Sequence, residues 1–223
     1  MQQILKFGVP LVTADGHDVG SLHHVVIDAA TRTVTAITGE RPLLESGNVL
    51  KPGGWSMPRD QRVPISAVTG TDERDARIGL TKEEFLAMPP YVIGEIPEPD
   101  GEWTPPPEFV AEDVTTRASA LLGGALYEPP RDEIENRGPT ERHLSGGSAV
   151  WRHEPHTHLG DVDRVIMDDV TNAVTGLVVR SGVVFHHDVI MPMERVVELL
   201  DDLVHVEISE DTWHTLAAYK PGN

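Results

Sequence analysis

The chain contains no cysteine, which excludes a disulfide framework, a thiolate metal site and a cysteine nucleophile. Nowhere does it hold 18 consecutive apolar residues, about the length a membrane-spanning helix needs. The opening MQQILKFGVPLV lacks an apolar run long enough for a signal peptide. Basic residues are scarce: 18 Lys and Arg stand against 36 Asp and Glu, for a formal net charge of −18. That balance repels phosphate backbones, and no basic stripe offsets it, so nucleic acid is an unsuitable partner. The expectation is a cytoplasmic protein with no membrane span, whose charge serves solubility before it serves docking.

Catalytic signatures are missing too. There is no nucleophile elbow, phosphate-cradling loop or dinucleotide fingerprint, and Gly53-Gly54 and Gly146-Gly147 lack the strand and helix context such motifs require. The acidic pairs Asp161/Asp163, Asp168/Asp169 and Asp201/Asp202 fall near strand ends and turns, where solvated caps are expected rather than acid–base chemistry. The expectation is therefore a protein that is not an enzyme and carries no cofactor.

What the chain does have is a repeat. Gly20 to Glu40, GSLHHVVIDAATRTVTAITGE, returns 140 residues later as GDVDRVIMDDVTNAVTGLVVR. Gly20/Gly160, Val25/Val165, Asp28/Asp168, Thr31/Thr171, Val34/Val174 and Thr35/Thr175 are identical, against about one or two matches for unrelated segments of ordinary composition. Further on the offset becomes 128, pairing Pro64 with Pro192, Val68 with Val196, Thr81 with Ser209, Phe85 with Trp213 and Tyr91 with Tyr219. The chain is two copies of one unit, and the first copy carries 12 extra residues within Arg41 to Gln61.

Local patterning gives the elements. Val9 to Thr13 predicts a strand stopped at the turn pair Asp15-Gly16. Val19 to Asp28 predicts the next, with both faces at least partly covered because Val25 and Ile27 share one face while Leu22 and Val26 share the other. A turn at 29–32 precedes a β-branched strand from Thr33 to Thr38. Residues 61–68 predict an edge strand interrupted by Pro64, Arg77 to Leu80 a last strand, and Thr81-Lys82-Glu83-Glu84 a capping box that opens a short helix. Phe85 and Trp213 are expected to close the two cores.

The ordered set resembles the PRC-barrel family, present twice. DGHDVG at 15–20, VVID at 25–28 with Thr31, and VPISAV at 63–68 carry the resemblance in the first copy. HTHLG at 156–160, VIMD at 165–168 with Thr171, and MPMERV at 191–196 carry it in the second, where Pro155-His156 replaces Asp-Gly. The resemblance implies a mainly β fold of two small, strongly bent barrels, each with a short C-terminal helix, used for binding rather than catalysis. The expected domains are 1–91 and 148–223, joined by a proline-rich connector over 92–147. Spacings of three and four predict a helix at 109–122 in that connector, and Glu128 to Ser148 is polar enough to be a flexible tether. Domains this small bury only about 60% of their unfolded surface, so packing of one repeat on the other, or a homodimer, would add stability.

Two function classes follow. The first is an adaptor or scaffold that binds another protein through barrel surfaces and the 41–62 loop, with Trp55 and Met57 as contact residues; the plain structural alternative is that Trp55 folds back over its own barrel. The second is a metal-binding or metal-sensing protein. His153, His156 and His158 cluster in WRHEPHTHLG, and His186 and His187 follow the third strand. Neutral imidazoles suit zinc, nickel or copper, and His153, His156, His158 and His187 are the candidate ligands. Surface histidines that respond to pH are the ordinary alternative.

Overall fold

The computed structural model describes residues 2–40, 60–95, 132–182 and 187–221. Trp55, Met57, His186 and the helix expected at 109–122 lie outside the described residues. The first copy contributes β1 (Gln2–Lys6), β2 (Pro10–Val12), β3 (Asp18–Asp28), β4 (Thr33–Glu40), β5 (Gln61–Pro64), β6 (Val68–Thr71), β7 (Ala76–Ile78) and α1 (Lys82–Leu86), with a 3-10 turn (Ile65–Ala67) between β5 and β6. β8 (Val92–Glu95) and β9 (Asp132–Glu135) follow. The second copy contributes β10 (Glu141–Ser145), β11 (Ala149–Arg152), β12 (Thr157–Asp168), β13 (Val174–Ser181), β14 (His187–Pro192), a 3-10 turn (Met193–Arg195), β15 (Val196–Leu200), β16 (Leu203–Val206) and α2 (Glu210–His214). The protein is mainly β, and among the described residues no helix is long and apolar enough to cross a membrane.

The chain divides into a larger unit, residues 1–91 and 137–223, and a smaller one, residues 92–136. In the smaller unit β8 and β9 form an antiparallel ladder from Val92–Glu135 to Glu95–Asp132. The larger unit holds two seven-stranded sheets of the same design. One runs β5-β4-β3-β2-β7-β6, the other β14-β13-β12-β11-β16-β15. Each is an open hydrogen-bonded path whose two ends are joined by the chain, because a 3-10 turn links β5 to β6 and β14 to β15. Proline explains the break: Pro64 and Pro192 stand at the ends of edge strands, where a missing N–H costs no ladder bond.

The seventh strand of each sheet comes from the other copy. β1 lies antiparallel on β12, with Gln2 opposite Asp168 and Lys6 opposite Arg164. β10 lies antiparallel on β3, with Glu141 opposite Asp28 and Ser145 opposite His24. Each arm begins on its neighbour's sheet and then crosses to its own, β1 into β2 and β10 into β11. The crossing points are Gly8 (φ 74°) and Gly147 (φ 104°), a backbone region that residues with a Cβ rarely adopt. The β3–β4 and β12–β13 hairpin tips meet as well, through Val34 N–H to the Asn172 carbonyl and Val174 N–H to the Arg32 carbonyl, both 2.9 Å.

This exchange corrects the view of residues 141–145 as part of a flexible tether. Their side chains are held rather than solvated: Leu144 is fully buried, as is its counterpart Leu5 on the other sheet. Glu141 is clasped by both guanidinium nitrogens of Arg62 at 2.7 and 2.9 Å and by the Thr35 hydroxyl at 2.6 Å. The Arg62 guanidinium, together with Thr35 and the Gly138 N–H, holds the Glu141 carboxyl at about 2. A single hydrophobic cluster runs through both sheets, from Leu11, Ile37 and Phe85 to Val165, Leu177 and Met191. Phe85 is fully buried, while Trp213 is only partly buried against the cluster. Val25, Val26 and Ile27 are all fully buried, so both faces of β3 are covered, as their sequence pattern predicts. The capping box on α1 is present, with Thr81 accepting from Glu84 N–H and Glu84 reaching back to Thr81 N–H.

Replacing Glu141 with Ala removes the carboxylate that accepts from both Arg62 guanidinium nitrogens, on a side chain only a fifth exposed. Urea unfolding is expected to show a loss of about 2–3 kcal/mol, less than the roughly 3–5 kcal/mol for a fully buried pair because the Arg62 side chain is partly exposed. A loss below about 0.5 kcal/mol, the level of an exposed ion pair, contradicts the clasp.

Candidate functional site

The exchanged strand β10 brings His143 beside two histidines of β3. His23 and His24 are neighbours in sequence and in a regular strand would face opposite sides of the sheet. Here β3 slips register against β4 between Leu22 and Val25, and the bulge lets both imidazoles reach the same carboxylate. The Nδ1 atoms of His23 and His24 lie 2.7 and 3.3 Å from Asp60 Oδ2. The Thr38 hydroxyl donates to the same oxygen at 3.1 Å and also touches His24 Nδ1 at 3.1 Å. Asp60 and Thr38 are both buried. Hydrogen bonds and charge from His23 and His24 outweigh the cost of burial and hold the Asp60 carboxyl well below its ordinary range.

His24 links this group to a second one. Its ring centroid is 4.7 Å from that of His143, edge-on. His143 Nδ1 lies 3.1 Å from the Tyr91 hydroxyl and 3.4 Å from Asp201 Oδ1, and its Nε2 lies 3.3 Å from Asp202 Oδ2. Asp202 sits in the β15–β16 turn with φ 52°. Its other oxygen accepts from the Ser145 N–H, the Ser145 hydroxyl and the Ser148 hydroxyl at 2.6–3.0 Å. Against the cost of burial, His143 and these serine donors hold the Asp202 carboxyl well below its usual range. Asp201 is also held low, by the paired bonds of Arg137 at 2.6 and 2.8 Å. Ligand atoms of His23, His24 and Asp60 lie within 4.8 Å of one another, as do those of His24, His143 and Asp202. Imidazole and carboxylate together are a donor set that suits borderline divalent metals.

The histidines singled out in the second copy are arranged differently. His153, His156, His158 and His187 are exposed. His156 stacks on Trp151 at 4.5 Å, and His158 contacts Trp151 at 5.1 Å and Asp161 at 3.1 Å. His153 and His156 each approach His205, with ring centroids 6.0 Å apart. His187 pairs with Ser181 at the start of β14. None of these four belongs to a group of three or more ligand-bearing side chains among the described residues. Sequence spacing missed the first-copy cluster because its members stand at 23–24, 60, 91, 143 and 202, and only the exchange of β10 gathers them. The one local signal was the adjacent pair His23-His24.

The second sheet holds the counterpart of this site. At the repeat offsets, His23 and His24 correspond to Asp163 and Arg164, Asp60 to Asp188, and Tyr91 to Tyr219. The bulge recurs, with β12 slipping against β13 between Val162 and Arg164. The backbone matches too: Tyr91 N–H donates to the Asp60 carbonyl and Tyr219 N–H to the Asp188 carbonyl. Arg164 fills the position of His24. It is buried, bonds Glu73 at 3.0 Å, contacts Asp163, lies 3.5 Å from Asp188, and sits 4.6 Å over the Tyr219 ring. A permanent cation thus balances the carboxylates of the second sheet, where imidazoles stand among those of the first.

No family model matches the chain, and no curated protein matches it.

Tyr219 reports on the second cluster. Burial and its hydrogen bond to Glu73 push its phenol up to about 12 from 10.0. The folded state keeps the proton that the unfolded chain releases, so stability is unaffected below about pH 10 and falls as pH rises from about 10 to about 12. An ultraviolet titration of wild type minus Tyr219→Phe is expected to give a midpoint near the upper value. A midpoint near 10.0, the ordinary phenol value, contradicts the burial of this hydroxyl against Glu73.

Proposed function

We propose that the chain is a non-catalytic scaffold that binds another protein, built from two tandem PRC-barrel-like repeats and acting in the cytoplasm. The order of elements supports the family resemblance. In each copy the Asp-ended strand, the Thr-containing turn, the following strand, the V-P or M-P edge strand and the capped short helix occur in the same sequence. The joining of each sheet's ends through a 3-10 turn supports a small, barrel-like unit.

The observation that carries the partner-binding reading is where the 12 extra residues enter. They fall between β4 and β5, adjacent antiparallel strands whose register holds Gly39 opposite Gln61. In the other copy β13 and β14 are joined across only residues 182–186, with Ser181 opposite His187. The first copy therefore adds a Gly/Pro-rich segment bearing Trp55 and Met57 to a hairpin whose base is unchanged. Surface added to a fixed scaffold is where new binding is usually gained.

Asp60 belongs to the histidine cluster, so the informative deletion stops short of it. Replacing residues 47–58 with a short Gly-Ser bridge is expected to leave the unfolding midpoint unchanged and to abolish retention of the partner in affinity capture from the native host. Equal retention by the deleted and full-length proteins rules out this loop as the contact.

A further inference from the structure

We propose that the first-copy cluster is a binding site for one divalent transition-metal ion of the zinc class, held by His24, His143 and Asp202. This goes beyond the scaffold reading and does not depend on it.

Three observations point the same way. The first is convergence: the candidate ligand atoms of the three side chains lie within 4.8 Å of one another, although they come from β3, β10 and the β15–β16 turn. Metal binding needs such a preassembled donor set, because drawing free side chains together would spend much of the binding energy.

The second is the arrangement of outer partners. A metal-bound histidine normally has its other ring nitrogen fixed by an oxygen, which sets tautomer and ring orientation. Both imidazoles have this support on Nδ1. His24 Nδ1 is held by Thr38 Oγ1 and Asp60, and His143 Nδ1 by the Tyr91 hydroxyl and Asp201. With Nδ1 protonated, Nε2 carries the lone pair, and on His143 that nitrogen faces Asp202. His24 and His143 are mostly buried, whereas the Asp202 side chain is 47% exposed, which gives an ion access from solvent. A water can supply the fourth position of a tetrahedral site.

The third is the comparison built into the molecule. At the equivalent place in the second sheet, Arg164 supplies a fixed positive charge to Glu73, Asp163 and Asp188. Around the first-copy cluster Asp201 is paired with Arg137, whereas Asp60 faces His23 and His24, and Asp202 faces His143 and serine donors. No guanidinium stands at the position of His24, and a bound dication would place positive charge there, beside Asp60 and Asp202.

The test uses the full chain, untagged and stripped of metal by chelator, titrated with zinc alone and followed by native mass spectrometry and calorimetry. One zinc per chain is expected. His24→Ala and His143→Ala should weaken binding at least about 100-fold, and Tyr91→Phe, which removes the hydroxyl facing His143 Nδ1, about 10-fold. His156→Ala/His158→Ala should bind as wild type. Circular dichroism and cobalt absorption guard against misfolding: a folded Tyr91→Phe protein should keep a nitrogen/oxygen-ligated cobalt spectrum while binding it less tightly. Absence of zinc binding by wild type overturns the proposal. Binding that survives His24→Ala and His143→Ala, or is lost with His156→Ala/His158→Ala, overturns it equally.

Discussion

The reciprocal exchange of first strands is the contact on which the rest of the structure depends. β1 completes the sheet of the second copy and β10 that of the first, so neither copy finishes its own core. Leu5 and Leu144, both fully buried, are the anchors each copy lends to the other. A repeat of this size has little interior of its own, and burial rises steeply with size. Sharing strands merges two marginal cores into one continuous apolar cluster. The cost is a backbone that must cross over twice, and glycine stands at both crossings. Buried polar groups travel with the arms, and Glu141 is accommodated only because Arg62, Thr35 and Gly138 supply donors to its carboxylate.

The same exchange creates the histidine cluster. Without β10 on β3, His143 would not stand beside His24, and the turn carrying Asp202, which receives the Ser145 and Ser148 donors, would have no role there. The two copies show how such a site diverges. The bulge in the long strand, a carboxylate at the start of the edge strand and the tyrosine after the short helix are kept in both. What changes is the group at the centre, arginine in one copy and histidine in the other. A guanidinium is permanently charged and closes its site with internal ion pairs. An imidazole is charged only on demand, and in its neutral form offers a lone pair. One copy closes its site with a guanidinium, and the other presents an imidazole at the same place.

Much of the sheet structure was legible in the sequence because it is local. The strands after Asp15-Gly16, the turn before Thr33, the edge position of Pro64 and the Thr81 cap each follow from short-range patterning, and the structure shows each of them. β1 and β10 were not legible, since their partners lie in the other copy. β10 in particular reads ERHLS, polar by composition, and partners distant in sequence, among them Arg62 for Glu141 and Tyr91 for His143, make these side chains acceptable inside. The candidate site was hidden for a second reason. The two-residue period of a strand separates His23 from His24, and a bulge that spacing does not announce puts them together. The histidines that looked clustered in sequence lie exposed, His153 and His156 on a turn and His158 at the start of β12, where adjacency does not gather ligand atoms.

The most direct measurement is disulfide trapping, which the absence of native cysteine makes unambiguous. Ile4 stands opposite Ile166 of the other copy, whereas a chain that kept its first strand at home would place Ile4 at the position His143 occupies, opposite Val26. Opposed strand residues are close enough for a disulfide, and residues on separate sheets are not. Mild oxidation is expected to close an intrachain bond in Ile4→Cys/Ile166→Cys and to leave Ile4→Cys/Val26→Cys reduced. Closure of the second pair and not the first would show that each copy completes its own sheet, and the exchange would be wrong.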